Sequence, residues 1–290
     1  MSDEVVVIGT QLGTFNAYNR ETCRPYGRFQ DNHSDFVNNS VTCMHIHPLR
    51  TEYLVVGFER GQFMIVDLSM LDKHNMMKPK KVVKDHHKNQ PIVSVKFCDW
   101  YREREVEEEN KGAPMQEDTQ AWMIASVDTE GRVVISCVRD IAMGILKASK
   151  FVILDPRNQS ADAISESSRF SVIEPRFFKM IFPQGQYNDS HTWLALANRN
   201  EIQILQVTKE TCKSCFSLRK PTFYPSERTN KYEPFPDTLP VMAWGYGKSP
   251  VFKHRTQAIL AVSWGAMIQL ILLIPDDEKQ EQGIDFRVDG

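Results

Sequence analysis

The 290 residues hold 35 Lys and Arg against 37 Asp and Glu, a net charge of −2, with 41% hydrophobic and 25% charged residues. That balance suits a soluble globular chain long enough to bury a sizeable core. It excludes the overall basic footprint of a nucleic-acid binder and a polybasic membrane arm. No run approaches the roughly 18 apolar residues of a membrane span. The start, MSDEVVVIGT, is acidic where a signal peptide is basic, and its apolar run is too short. Six scattered cysteines (Cys23, Cys43, Cys98, Cys137, Cys212, Cys215) fall mostly within apolar runs, as in a reduced cytosolic protein. Under that reading N-x-S matches such as those at Asn38, Asn158 and Asn188 carry no glycan.

Taken in chain order, five segments share one form: a β-rich run reaching a small residue, a polar turn, and a second β-rich run. They are Val5–Tyr18, Tyr53–Leu68, Trp122–Val138, Trp193–Val207 and Ile259–Leu273. The small residues are Gly9, Gly57, Ser126, Ala197 and Ser263, spaced by 48, 69, 71 and 66 positions. Four of the five follow another short strand-like run: Val41–Ile46, Ile92–Phe97, Phe170–Ile173 and Val241–Trp244. Strand, loop, strand, tight turn, strand is the pattern of a β-propeller blade, about 40–45 residues when its loops are short. Val41–Leu68 is its clearest copy.

Blade-like units are therefore expected near 5–18, 41–68, 92–138, 170–207 and 241–273, within one all-β propeller region over 1–290. The excess length lies in connections. Residues 101–120 (YREREVEEENKGAPMQEDTQ) read as a charged surface loop, and 157–168 as a polar one. Residues 209–237, with four prolines, read as an irregular Pro-rich connector. Asp140–Ala148 fits either a short helix or a fourth, outer strand. A β-sandwich also uses short strands, but these units are longer and keep one internal order. Four to five units are few for a propeller. Either Ile284–Val288 closes a small ring, or the chain is an incomplete arc of a larger, seven-bladed propeller, the reading preferred here.

Chemistry-bearing motifs are sparse. Cys212-Lys213-Ser214-Cys215 is a lone C-x-x-C without the second pair that zinc requires or the βαβ setting of a redox motif. His45 and His47 alternate along a strand, and His86-His87 adds two more. With no Cys or carboxylate at ligand spacing, all four read as loop and strand histidines rather than metal ligands. No nucleophile elbow, Walker loop or H-E-x-x-H occurs, so neither an enzyme nor a cofactor is expected. The positions singled out are structural turn formers: Gly9, Gly13, Gly57, Gly61, Gly131 and Gly265, with Asp67 placed like the Trp-Asp ending of WD repeats.

The ordered set VVVIGTQLGTFNAY, SVTCMHIHPLRTEYLVVGFERGQFMIVDL, KDHHKNQPIVSVKF, FSVIEPRFF and LPVMAWGYG…AILAVSWGAMIQLILL resembles the N-terminal propeller of the Vps-eight family, the CORVET-specific subunits among the vacuolar-protein-sorting tethers. The similarity covers most of residues 4–274. It implies a cytosolic, non-enzymatic subunit of an endosomal vesicle-tethering complex, acting in endosome and vacuole protein transport. Its implied partners are a Rab-family GTPase and other tether subunits, with endosomal membrane association through those partners and no nucleic acid. The alternative is another propeller scaffold, a HOPS-type subunit or a WD-repeat adaptor. The resemblance carries no residue-level partner contact onto this chain.

Overall fold

The computed structural model describes residues 5–30, 36–48, 50–84, 86–98, 121–142, 145–155, 169–175, 192–207, 212–221, 223–226, 231–234, 238–248, 256–264, 267–275 and 286–289. The readings made above for 101–120 and 157–168, and for Gly265, fall outside them. The chain divides into two compact units, residues 1–163 and 164–290.

In the first unit, β1 (Val5–Gly9), β2 (Phe15–Asn19) and β3 (Pro25–Phe29) form a three-stranded meander. β4 (Val41–Ile46), β5 (Tyr53–Phe58), β6 (Phe63–Leu71) and β7 (Met77–Val83) form a four-stranded one. β8 (Ile92–Phe97), β9 (Ala121–Asp128), β10 (Val133–Ala142) and β11 (Ile145–Leu154) form the third sheet. All pairings in these sheets are antiparallel between strands adjacent in sequence.

Alternation along β5 explains how these sheets stack. Leu54, Val56 and Phe58 point to one side and join Phe15, Ala17, Phe29 and Phe36 in a buried core between the first and second sheets. Phe15 stacks on Phe29 at 4.8 Å, and Phe36 packs at 5.0 Å from Phe58. Tyr53 and Gly57 face the other way. Tyr53 meets Trp122 edge-on at 5.3 Å, and a Cβ on Gly57 would lie 2.7 Å from Cys43 Sγ and 3.2 Å from Ile92. The missing side chain is what lets the sheets approach. Gly9 serves the same end against Val41. β5 is buried along its whole length because sheets cover both its faces.

Three hairpins share one turn. Thr10–Gly13, Phe58–Gly61 and Asp128–Gly131 each close with the glycine N–H donating to the first residue's carbonyl, at 3.3, 3.1 and 2.9 Å. Gly13, Gly61 and Gly131 have φ of 80°, 75° and 80°, the left-handed region that a side chain resists. At Gly61 an added Cβ would also sit 2.7 Å from the Gln90 carbonyl. Gly61→Ala is expected to cost about 2–3 kcal/mol of unfolding free energy, combining left-handed strain with a backbone clash. A urea-midpoint comparison checks it, and a variant as stable as the parent refutes it.

Asp67 lies inside β6, opposite Tyr53, where the pairing with β7 slips between Val66 and Leu71. Its Oδ1 accepts from the Ser69 amide (3.0 Å) and hydroxyl (2.6 Å), closing a bulge rather than a hairpin.

The second unit repeats the meander. β12 (Val172–Pro175), β13 (Thr192–Ala197), β14 (Glu201–Val207) and β15 (Cys212–Arg219) make one sheet, and β16 (Phe223–Ser226) pairs with β17 (Lys231–Pro234). β18 (Val241–Lys248), β19 (Thr256–Trp264), β20 (Met267–Pro275) and β21 (Phe286–Asp289) make another. Trp193, Ala195, Ile202 and Ile204 pack against Met242, Leu260, Val262 and Trp264 in one core. The Trp244 indole N–H donates to the Glu174 carbonyl at 2.9 Å.

Each hairpin unit expected from the sequence is thus extended by an outer strand. Residues 209–237 are not irregular throughout: β15, β16 and β17 fall within them, so the C-x-x-C lies on a strand. Proline at 225 and 234 is accommodated because this pair is an isolated two-stranded ribbon, whose edge positions need no amide donor. Within Asp140–Ala148, residues 140–142 end β10 and 145–148 begin the outer β11, as the outer-strand reading expected. Phe286–Asp289 forms β21, the fourth strand of its own sheet, paired with β20.

Candidate functional site

His86 and His87, two neighbouring residues weighed above and set aside, are buried together with Ser126, Asp128 and Ser136. The segment following β7 carries the histidines over the third sheet. Ser126 stands in β9 at the small-residue position that Gly57 fills in β5. Asp128 ends β9 where the hairpin turns.

His87 Nδ1 lies 2.8 Å from Asp128 Oδ2 and its Nε2 2.9 Å from Ser126 Oγ. Ser126 Oγ also lies 2.5 Å from His86 Nε2, and His86 Nδ1 is 3.1 Å from Ser136 Oγ. One proton assignment satisfies every link. Ser136 O–H donates to His86 Nδ1, and His86 Nε2–H donates to Ser126. Ser126 O–H then donates to His87 Nε2, and His87 Nδ1–H to the Asp128 carboxylate. Both imidazoles are neutral in this chain. Burial holds both histidines below the ordinary value, His86 well below it, while the Asp128 carboxylate partly offsets the shift at His87.

Ser126, His87 and Asp128 therefore have the connectivity of a hydrolytic triad. Their setting denies them that chemistry. All are at most 1% exposed, and Ser126 Oγ is already engaged by His86 Nε2. What the array does is hold sheets together. The His87 amide donates to the Gly61 carbonyl in the second sheet's hairpin at 3.0 Å, and Phe63 packs edge-on against His86 at 4.7 Å. Asp128 Oδ1 accepts the Glu130 and Arg132 amides at 2.9 Å each, fixing the β9–β10 turn.

His45 and His47 sit at the opposite ends of β5 and β9 from this array, both against Phe97, with ring centroids at 6.1 and 4.8 Å. His45 Nδ1 accepts the Phe97 amide at 3.1 Å. Burial, then Lys96 and His47, lowers its pKa to about 3. Beside them Arg50 and Lys80 both lie over the Tyr53 and Trp122 rings, at 5.0–5.7 Å. Lys80 also approaches Asp67 at 3.7 Å.

Sequence reasoning named His86, His87, Ser126 and Gly61 separately and joined none of them. Asp128 and Ser136 it missed. The available signal was an aspartate two residues beyond the small position and three before a glycine, the pattern of an Asx-stabilised turn.

Antiparallel meanders of three or four strands, stacked face to face around apolar cores, define a β-propeller scaffold. The family model for the Vps8 β-propeller matches residues 1–288, and the chain belongs to that family. No curated protein matches it. Among solved structures it is similar to the Cps50 (Swd1) β-propeller domain of Myceliophteria thermophila, at 11% identity and TM-score 0.47, covering 98% of this chain and 67% of that one. It is also similar to Chaetomium thermophilum Raptor, at 12% identity and TM-score 0.45, covering 92% of this chain and 18% of that one.

Proposed function

We propose that the chain acts as a non-enzymatic subunit of a CORVET-like endosomal tethering complex. In this reading it binds a Rab-family GTPase and other tether subunits, and resides in the cytosol and on endosomal membranes through those partners. The observation that carries the reading is the family match over nearly the whole chain. The only triad-like array among the described residues is sealed inside the sheets, which supports a scaffold over a hydrolase. Among the described residues no helix is long and apolar enough to cross a membrane.

The test is retention of purified endosomal Rab, loaded with GTP or GDP, on the immobilised chain. Preferential retention of the GTP form is expected. Equal retention of both forms, or of neither, overturns the Rab assignment. Co-purification with HOPS-specific rather than CORVET-specific subunits from cell extract overturns the complex assignment.

A further inference from the structure

The near-neutral net charge conceals a segregation by strand. In four of the five meander sheets, β3, β7, β11 and β15 occupy one edge and β1, β4, β8 and β12 the other; the fifth, with Lys248 in β18 and both Arg287 and Asp289 in β21, does not share the pattern. The first set contains one basic residue in β3, three in β7, two in β11 and two in β15, and no acidic residue. The opposite set contains only Lys96 and Glu174. Residues 73–84 alone hold five lysines and no acidic residue in a chain whose total is −2.

Within the first unit these edges adjoin. The Arg28 amide donates to the Asn75 carbonyl at 3.0 Å, linking β3 to the turn that enters β7. Lys150 Nζ on β11 donates to the His86 carbonyl at 3.4 Å, just beyond β7. Arg24, Arg28, Lys73, Lys78, Lys84 and Lys150 are all exposed along this rim. Among the described residues the acids beside it are Glu21 and Asp72 in turns, Asp155 after β11, which pairs with Arg132 at 3.4 Å, and buried Asp67, bonded to Ser69 and 3.7 Å from Lys80.

A lysine or two on an edge strand is the usual guard against strand addition. Here the positive sign extends over three consecutive sheets and into the flanking turns, beyond what one edge needs. We propose that this rim of the first unit is a docking surface for an anionic phospholipid bilayer. Two features favour a bilayer over an extended acidic peptide. Pro79 in β7 has no amide to donate, and the β6–β7 pairing slips beside it, so the edge offers a poor template for an added strand. The exposed charges are mostly lysines, point charges without the planar fork that reads one carboxylate, which suits diffuse attraction to headgroups. This inference rests on charge placement alone and stands or falls apart from the tether reading.

The experiment is flotation of the full chain with phosphatidylcholine–phosphatidylserine vesicles against pure phosphatidylcholine vesicles, at low and high salt. Binding is expected only to the anionic vesicles, falling as salt rises. The triple variant Arg24→Gln, Lys73→Gln, Lys78→Gln should weaken it by about a hundredfold, at about fivefold per charge. Arg60→Gln with Lys88→Gln, exposed in turns rather than on the rim, should change it far less. Equal binding to both vesicle types overturns the proposal, as does indifference to the triple variant or equal weakening by the turn pair. Retention on polyglutamate with no vesicle flotation also overturns it, in favour of an acidic protein partner. The lipid and salt comparisons use the unaltered chain, so they decide the matter even if a variant misfolds.

Discussion

Acidification from pH 7 to 4.5 is expected to destabilise the first unit severely, through histidines that fold in their neutral form. His45 titrates near 3 in the folded chain and near 6.5 once unfolded. Between those values the unfolded state binds a proton that the folded state refuses, so stability falls as pH falls. The slope is about 1.4 kcal/mol per pH unit for each such group. His45 alone then removes about 2–3 kcal/mol by pH 4.5, a large part of the 5–15 kcal/mol typical of a domain.

His86 and His87 act in the same direction. Both are shifted down by burial, and a proton on His86 Nδ1 would face the Ser136 hydroxyl that now donates to it. Urea midpoints across pH 4.5–7.5 test this. A midpoint that does not move below pH 6.5 would contradict neutral burial. His45→Gln should flatten the slope by about one proton's worth while leaving the His86–His87 part in place.

Asp128→Ala should be among the most damaging single changes, at about 3–5 kcal/mol near neutral pH. The substitution leaves His87 Nδ1–H without an acceptor in a region closed to water. It also leaves the Glu130 and Arg132 amides without the oxygen that fixes their turn. Asp128→Asn keeps an oxygen for the turn but loses the charge-assisted bond to His87, and should cost about 1–2 kcal/mol. Equilibrium denaturation of the two variants side by side reads the difference. If Asp128→Ala falls within about 1 kcal/mol of the parent, the array is not a clamp between sheets.

These expectations turn on features of unequal visibility in the sequence. Apolar runs with a two-residue period specify strands locally, because each side chain's face follows from its position alone. Tyr53–Phe58 and Ile92–Phe97 are accordingly strands within the limits read from the sequence. β7 and β15, with MKPKKVV and CKSCFSLR, lack a strong alternating signal. They are strands because a neighbouring strand supplies their hydrogen bonds and one edge stays in water.

The buried array was least legible of all. His86 and His87 find their serine and aspartate 39–41 residues away, beyond any local pattern. In a loop that chain would be solvated histidines. Only the third sheet, folded beneath it, strips the water and leaves each nitrogen one partner.

The sequence by itself determined the strand–turn–strand unit, its repetition and the glycine turns, since backbone sterics and side-chain period act over a few residues. Tertiary structure decided three things. It set the fourth strand of the sheets, the pairing of His87 with Ser126 and Asp128, and the gathering of basic residues along one rim. Each depends on segments brought together from tens of residues apart, and desolvation or edge position then fixes what their side chains do.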